Sequence, residues 1–291
     1  VNISGEGFDS GMYFDAHNHF QDEWLRPHRE ILLRELPSLG IGGMVVNGTC
    51  VADWAEVEAL GREVPWLIPS FGLHPWDCGN REEGWLEALR ARLLACPRAQ
   101  VGEIGIDRWI LDRAKPDDPR LAGLRRAPLD EQLQVFHAQM DLACELGRTP
   151  SIHCIDAWGQ LLDSLRARPL PTRGFLLHSY AGSAEMVPEF VKLGACFSFN
   201  GSFLEERKNK VRAAYRVMPQ DRILVETDAP AMPPPPPWRP HSLPDVGTNT
   251  VNHPGNLVAA YKGLAQLRGA TIEQLEAQCS SNFRRLFCAQ A

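Results

Sequence analysis

A chain of 291 residues with 44 % hydrophobic and 23 % charged side chains has the composition of a folded globular protein, which excludes disorder as its main state. Its formal charge of −6, from 36 acidic and 30 basic residues, gives no global attraction for nucleic acid or anionic lipid, so phosphate recognition must be local. No apolar run reaches membrane-spanning length, the opening VNISGEGFDSG lacks the parts of a secretory signal, and eight scattered cysteines without a CxxC pair are expected to be reduced in a cytoplasmic protein.

In chain order, short apolar runs alternate with segments of helical period. Residues 12–16 (MYFDA) read as a strand and 27–39 as a helix. IGGMVVNG is the second strand, followed by a helix over 52–64. WLIPSFGL is the third, with a helix over 81–95. AQVGEIG is the fourth; a charged, Pro-containing stretch over 108–128 precedes a helix over 129–147. PSIHC, RGFLLHS and ACFSFN are the next three, with helices over 157–167 and 183–194 and a polar segment over 205–218. DRILVETD is the eighth, and two helices over 254–268 and 271–288 close the chain. Parallel strands need crossover connections, so this alternation predicts a parallel sheet. Eight units predict one domain over 1–291, a closed (β/α)8 TIM-like barrel. An open doubly wound sheet is the alternative, but the first strand–helix turn carries no Gly-rich phosphate loop. Residues 231–254, with PPPPP at 233–237, predict a polyproline-type loop over the C-terminal face.

The chemistry-bearing residues fall at strand C-termini, where barrel enzymes build their sites. Strand one ends in Asp15-Ala16-His17-Asn18-His19, strand four in Gly102-Glu103-Ile104-Gly105, strand five in His153, strand six in His178 and strand eight in Glu226-Thr227-Asp228. The two-residue period sends His17 and His19 to one side of an extended chain. Taken singly, each has an ordinary explanation: a satisfied core histidine, a helix cap, a buried acid facing an Arg, an Asx-turn. Independent structural roles would not gather four of nine histidines on one rim. Four imidazoles and two carboxylates suit one or two divalent cations such as Zn²⁺, Mn²⁺ or Ni²⁺. Glu103 is the natural bridge, since its strand lies between the two histidine groups.

FDAHNHF, GLHPWD at 72–77, GEIGID at 102–107, IHC at 152–154, HSYAGS at 178–183, ETDAP at 226–230 and SNFRRLF near the end together resemble the TatD family of metal-dependent hydrolases. The resemblance covers nearly the whole chain. It implies a binuclear site on an amidohydrolase-like barrel, with His17, His19, Glu103 and Asp228 on one cation and Glu103, His153 and His178 on the other. It also implies deoxyribonuclease activity, often 3′-exonucleolytic. Two positions depart from the pattern: Ile155 stands where the family has an Arg, and Val251-Asn252-His253-Pro254 where it has a basic residue before Asn-Glu-Pro. Arg is the preferred fork for phosphate oxygens, and two readings stay open: Arg108 or Arg239 replaces it, or the long segments that carry them shape a pocket for a smaller molecule.

The expected function is phosphodiester hydrolysis of DNA by a metal-activated hydroxide, with two Zn²⁺, Mn²⁺, Mg²⁺ or Ni²⁺ ions. Asp228 is expected to take the proton of the attacking water, and Glu103 to act with it. His74, Trp76 and Arg108 are expected to contact the substrate, single-stranded DNA or a small phosphodiester; Trp109 and Trp238 are further stacking candidates. Arg207, Lys208, Lys210 and Arg212 read as a solvated basic helix face or a DNA-attracting patch. The alternatives are hydrolysis of a small amide, ester or lactone on the same barrel, and a non-catalytic binding protein.

Overall fold

The computed structural model describes residues 11–288. Eight parallel strands follow one another in sheet order: β1 (Tyr13–Asn18), β2 (Ile41–Asn47), β3 (Leu67–Phe71), β4 (Gln100–Asp107), β5 (Pro150–Ile155), β6 (Phe175–Leu177), β7 (Ala195–Asn200) and β8 (Ile223–Glu226). Beyond the strand ends, the Asp228 amide donates to His17 O (3.0 Å) and the His19 amide to Ala229 O (2.8 Å). These bonds bring β8 back to β1 and nearly close the barrel, as the eight strand–helix units predict.

The crossover helices are α1 (Arg29–Ser38), α2 (Trp54–Glu63), α3 (Trp85–Ala95), the short α4 (Trp109–Asp112), α5 (Leu129–Leu146), α6 (Trp158–Arg166), α7 (Val187–Lys192) and α8 (Asn209–Val217). After β8 come α9 (Leu257–Arg268) and α10 (Ile272–Phe287). Strand residues such as Met44, Val46, Leu67 and Phe71 pack in the layer between sheet and helices. Phe14, Val45, Ile68, Leu176 and Leu224 form a second cluster with Phe283, Leu286 and Phe287 of α10. Phe14 stacks on Phe283 with ring centroids 4.7 Å apart. This helix plugs the barrel end opposite the site, and a capping box at Thr271 and Gln274 starts it.

Above the plug the barrel lining turns small and polar. A side chain on Gly102 would meet Asn47 Oδ1 and Ser151 Cβ at 2.8 Å and Ser70 Oγ at 3.0 Å. Gly105, at φ 150°, would drive a Cβ to 2.0 Å from the His153 carbonyl oxygen. Only glycine lets β4 approach β5 there, in the register that pairs Gly105 with His153.

The expected strands form, with shifted ends. β1 and β4 run past their apolar cores to Asn18 and Asp107, whereas β6 stops at Leu177 and Ser179 turns through φ 43°. The polar segment after β7 folds into a 3-10 turn (Glu206–Lys208) and α8. Between β4 and α5, Arg126 ties the irregular stretch together by donating to Ile110 O and Ala114 O, both at 3.1 Å. The Pro-rich loop starts at the barrel mouth with Ala231 and Met232, which line the cavity. At its far end Asn252 Nδ2 donates to Thr227 O (2.9 Å), and His241 and His253 face Glu35 of α1 at 3.5 and 3.6 Å.

All eight cysteines are free, and no helix among the described residues is long and apolar enough to cross a membrane. Residues 1–10 of the opening segment lie outside the described residues.

Candidate metal centre

Glu103 stands at the middle of the barrel mouth, 3 % exposed, and its two oxygens face different histidines. Oε2 lies 3.4 Å from His17 Nε2 and 3.2 Å from His19 Nε2. Oε1 lies 2.9 Å from His153 Nδ1, 2.8 Å from His178 Nε2 and 3.3 Å from His74 Nε2. Asp228 Oδ1 adds a second carboxylate on the first side, 3.7 Å from His17 Nε2 and 3.5 Å from His19 Nε2. Thus the six rim residues singled out in the sequence converge from five strand ends. Asp228 adopts φ 55°, a conformation Asp tolerates better than most residues.

What stands behind each imidazole decides which nitrogen faces the centre. His19 Nδ1 donates to Asn47 O (2.8 Å) and His17 Nδ1 lies 2.8 Å from Ser151 Oγ. His153 Nε2 donates to Asp107 Oδ2 (3.2 Å), a carboxylate also held by the Trp76 indole N–H at 2.7 Å. A partner on the far nitrogen is what metal-ligating histidines have, because it fixes the tautomer and leaves the near nitrogen bare. His17 Nε2 is buried without a hydrogen bond, a cost that a cation would remove. Behind His178, Glu226 is fully buried and accepts from Ser179 and Ser198, with Oε1 3.8 Å from His178 Nδ1.

His74 also sits within ligand-grouping distance of Glu103 and His153, but its tautomer argues against coordination. Its Nδ1 accepts the Trp76 amide at 3.2 Å, so the neutral ring carries its proton on Nε2. Burial lowers the His74 pKa and keeps the ring neutral. It is therefore a hydrogen-bond donor aimed into the site.

The remaining charges are arranged around the carboxylate. Burial raises the Glu103 pKa, but the surrounding imidazoles, His178 foremost, outweigh it and hold it well below the usual range. Burial opposes protonation of His19, His153 and His178, yet their carboxylate partners raise all three, His153 to about 9. His17 falls to about 3 through burial and the neighbouring charge of His178. Protons thus occupy a buried set of N and O donors around two carboxylates, the donor chemistry that suits a divalent cation.

Asp107 was legible only as part of GEIGID; its place behind His153 comes from β4 running two residues beyond Gly105. Replacing Asp107 with Ala frees His153 to rotate and lowers cation affinity by about 10–100-fold. Competition against a chromophoric chelator measures this, and unchanged affinity would refute the tether.

The centre floors an open cavity of about 730 Å³. Trp76 and His74 line it, together with Trp109, Arg120 and Lys208. Arg108 takes no part in the lining; it pairs with Asp112 at 2.7 Å along α4. Arg239 and Trp238 are likewise absent from the described lining. Arg120 had no sequence signal, because an irregular segment has no period to say which cation points inward.

A model of the TatD-related DNase family matches residues 14–288. A Klebsiella pneumoniae protein described as the 3′-5′ ssDNA/RNA exonuclease TatD is 27 % identical over 281 residues, covering 96 % of this chain and 97 % of that one. A Bacillus subtilis protein described as the uncharacterized metal-dependent hydrolase YabD is 25 % identical over 280 residues, covering 95 % and 99 %. The crystal structure of YjjV, a TatD homologue from Escherichia coli, matches with a TM-score of 0.81 at 25 % identity, over 95 % of this chain and 98 % of that one.

Proposed function

Because this chain belongs to the TatD-related DNase family, we propose that it is a metal-dependent phosphodiesterase that shortens single-stranded DNA from an end. The observation that carries this reading is the split carboxylate of Glu103, whose oxygens face two separate histidine groups at the floor of one cavity. Oε2 with His17, His19 and Asp228 would hold one cation, and Oε1 with His153 and His178 a second. Bound there, divalent cations supply a nucleophile at neutral pH and offset the charge that builds on a phosphoryl oxygen.

The protein's own groups do the rest. Asp228, which lines the cavity, orients the attacking water and accepts its proton on the carboxylate. His74, neutral and fixed with its proton on Nε2, donates to an oxygen of the reacting phosphate. Trp76 walls the cavity and, through its indole N–H, holds Asp107 behind His153.

The test is EDTA-stripped protein reloaded separately with Mn²⁺, Mg²⁺, Zn²⁺ and Ni²⁺. Each preparation is assayed on labelled single-stranded and duplex oligonucleotides beside a panel of lactones, esters and amides. Cation-dependent, stepwise shortening of the single strand is expected. Turnover of a lactone, ester or amide with every oligonucleotide left intact would replace this reading with that of a small-molecule hydrolase.

A further inference from the structure

We infer that Arg120 and Lys208 line a second subsite for the strand's phosphates, each holding a phosphate other than the one being cleaved. This inference rests on the nucleolytic reading and deepens it.

The cavity is lined by two cationic side chains of the Arg and Lys type among the described residues. They come from loops beyond β4 and β7, whereas the metal centre sits on the strand ends themselves. Arg120 stacks on Trp109, with Cζ 4.4 Å from the ring centroid, and Trp109 in turn stacks on Trp76. Asp118 takes Nε and Nη2 of Arg120 at 2.9 and 2.6 Å, leaving Nη1 with no protein acceptor among the described residues. A guanidinium already immobilised this way loses little freedom when it meets a phosphate oxygen.

On the other wall, Lys208 Nζ lies 5.1 Å from the Phe203 ring centroid and forms no ion pair among the described residues. Of its basic neighbours, Arg207 pairs with Glu205 at 2.5 Å, Arg212 donates to Phe203 O at 2.8 Å, and Lys210 lines a different cavity. Burial lowers the Lys208 pKa, outweighing the opposing charge of Glu205, as expected for a partly desolvated ammonium. Lining the same cavity are Ile155, Ala181 and Met232, which offer nothing to a phosphate but suit a sugar or base. Cations on aromatic faces beside an apolar lining match the alternating chemistry of a single strand.

The test uses Arg120→Gln, Lys208→Met and the double variant, which remove the charge and keep most of each side-chain stem. Binding of a labelled oligothymidylate hexamer is followed by anisotropy on EDTA-treated protein between about 50 and about 200 mM salt. Each lost cation is expected to flatten the slope of log affinity against log salt by about 0.7. With cation restored, KM for the hexamer should rise roughly tenfold per substitution, while kcat/KM for bis(p-nitrophenyl) phosphate, which has one phosphate, stays within about twofold. Equal losses on both substrates, or an unchanged salt slope, overturn the subsite. Wild-type cleavage of the hexamer with indifferent variants overturns the subsite alone; a wild type that neither binds nor cleaves it overturns the nucleolytic reading and the subsite together.

Discussion

Asp228→Asn is expected to lose hydrolytic turnover by about 10²–10⁴-fold while keeping most of its bound cation. Asn matches Asp in size and tolerates the φ of 55° that position 228 requires. The backbone bond from residue 228 to His17 O survives, so β8 still closes on β1. An amide oxygen can remain near His17 and His19, but it has no capacity to accept the water's proton. Elemental analysis and kcat measured on one sample separate the roles. Full turnover would remove Asp228 as the base, and parallel loss of cation and turnover would make it a ligand only.

Glu103→Gln should be more damaging still, because one carboxylate serves both histidine groups. The amide halves the negative charge available to the centre and presents an N–H₂ to one group. On the proposed two-cation centre, cation content is expected to fall to less than half of the wild-type value, with turnover lost in proportion. The metal-free protein should also suffer, since three imidazoles whose protonation is supported by carboxylates lose their shared partner. Removing one member of a buried charged set costs roughly 3–5 kcal/mol, read as a lower urea midpoint. Glu103→Asp is the informative control: it keeps the charge but is one methylene too short to face His19 and His178 together, so about one cation should remain. Two cations bound to Glu103→Gln would refute the bridge.

Legibility differed between the regular and irregular parts of the chain. Apolar runs such as IGGMVVN and ACFSFN became β2 and β7 within one residue of the expected ends, because strands buried on both faces must be continuously apolar. The polar ends of β1 and β4 were read short, and those of β6 and β8 long. Asp107 belongs to β4 because it pairs with Ile155 of β5, an interaction with a residue 48 positions away. The segment after β7 read as a polar stretch, yet Ala214 and Tyr215 of α8 are buried, and the Tyr215 hydroxyl donates to Ser198 O at 2.5 Å.

The six candidate ligands could be named from the chain alone, because polar residues ending buried strands are costly without a partner and a barrel gathers strand ends on one rim. Which nitrogen of each imidazole faces inward was decided only by the fold, since Asn47, Ser151 and Asp107 arrive from other strands. The cations differ, since their partners are local: Arg108 and Arg120 share one irregular segment without a period to rank them, and the Asp112 carboxylate engages the first while Trp109 and Asp118 hold the second toward the cavity. Periodic burial is written locally in the order of residues, whereas a side chain's partner across the barrel exists only once distant strands are packed together.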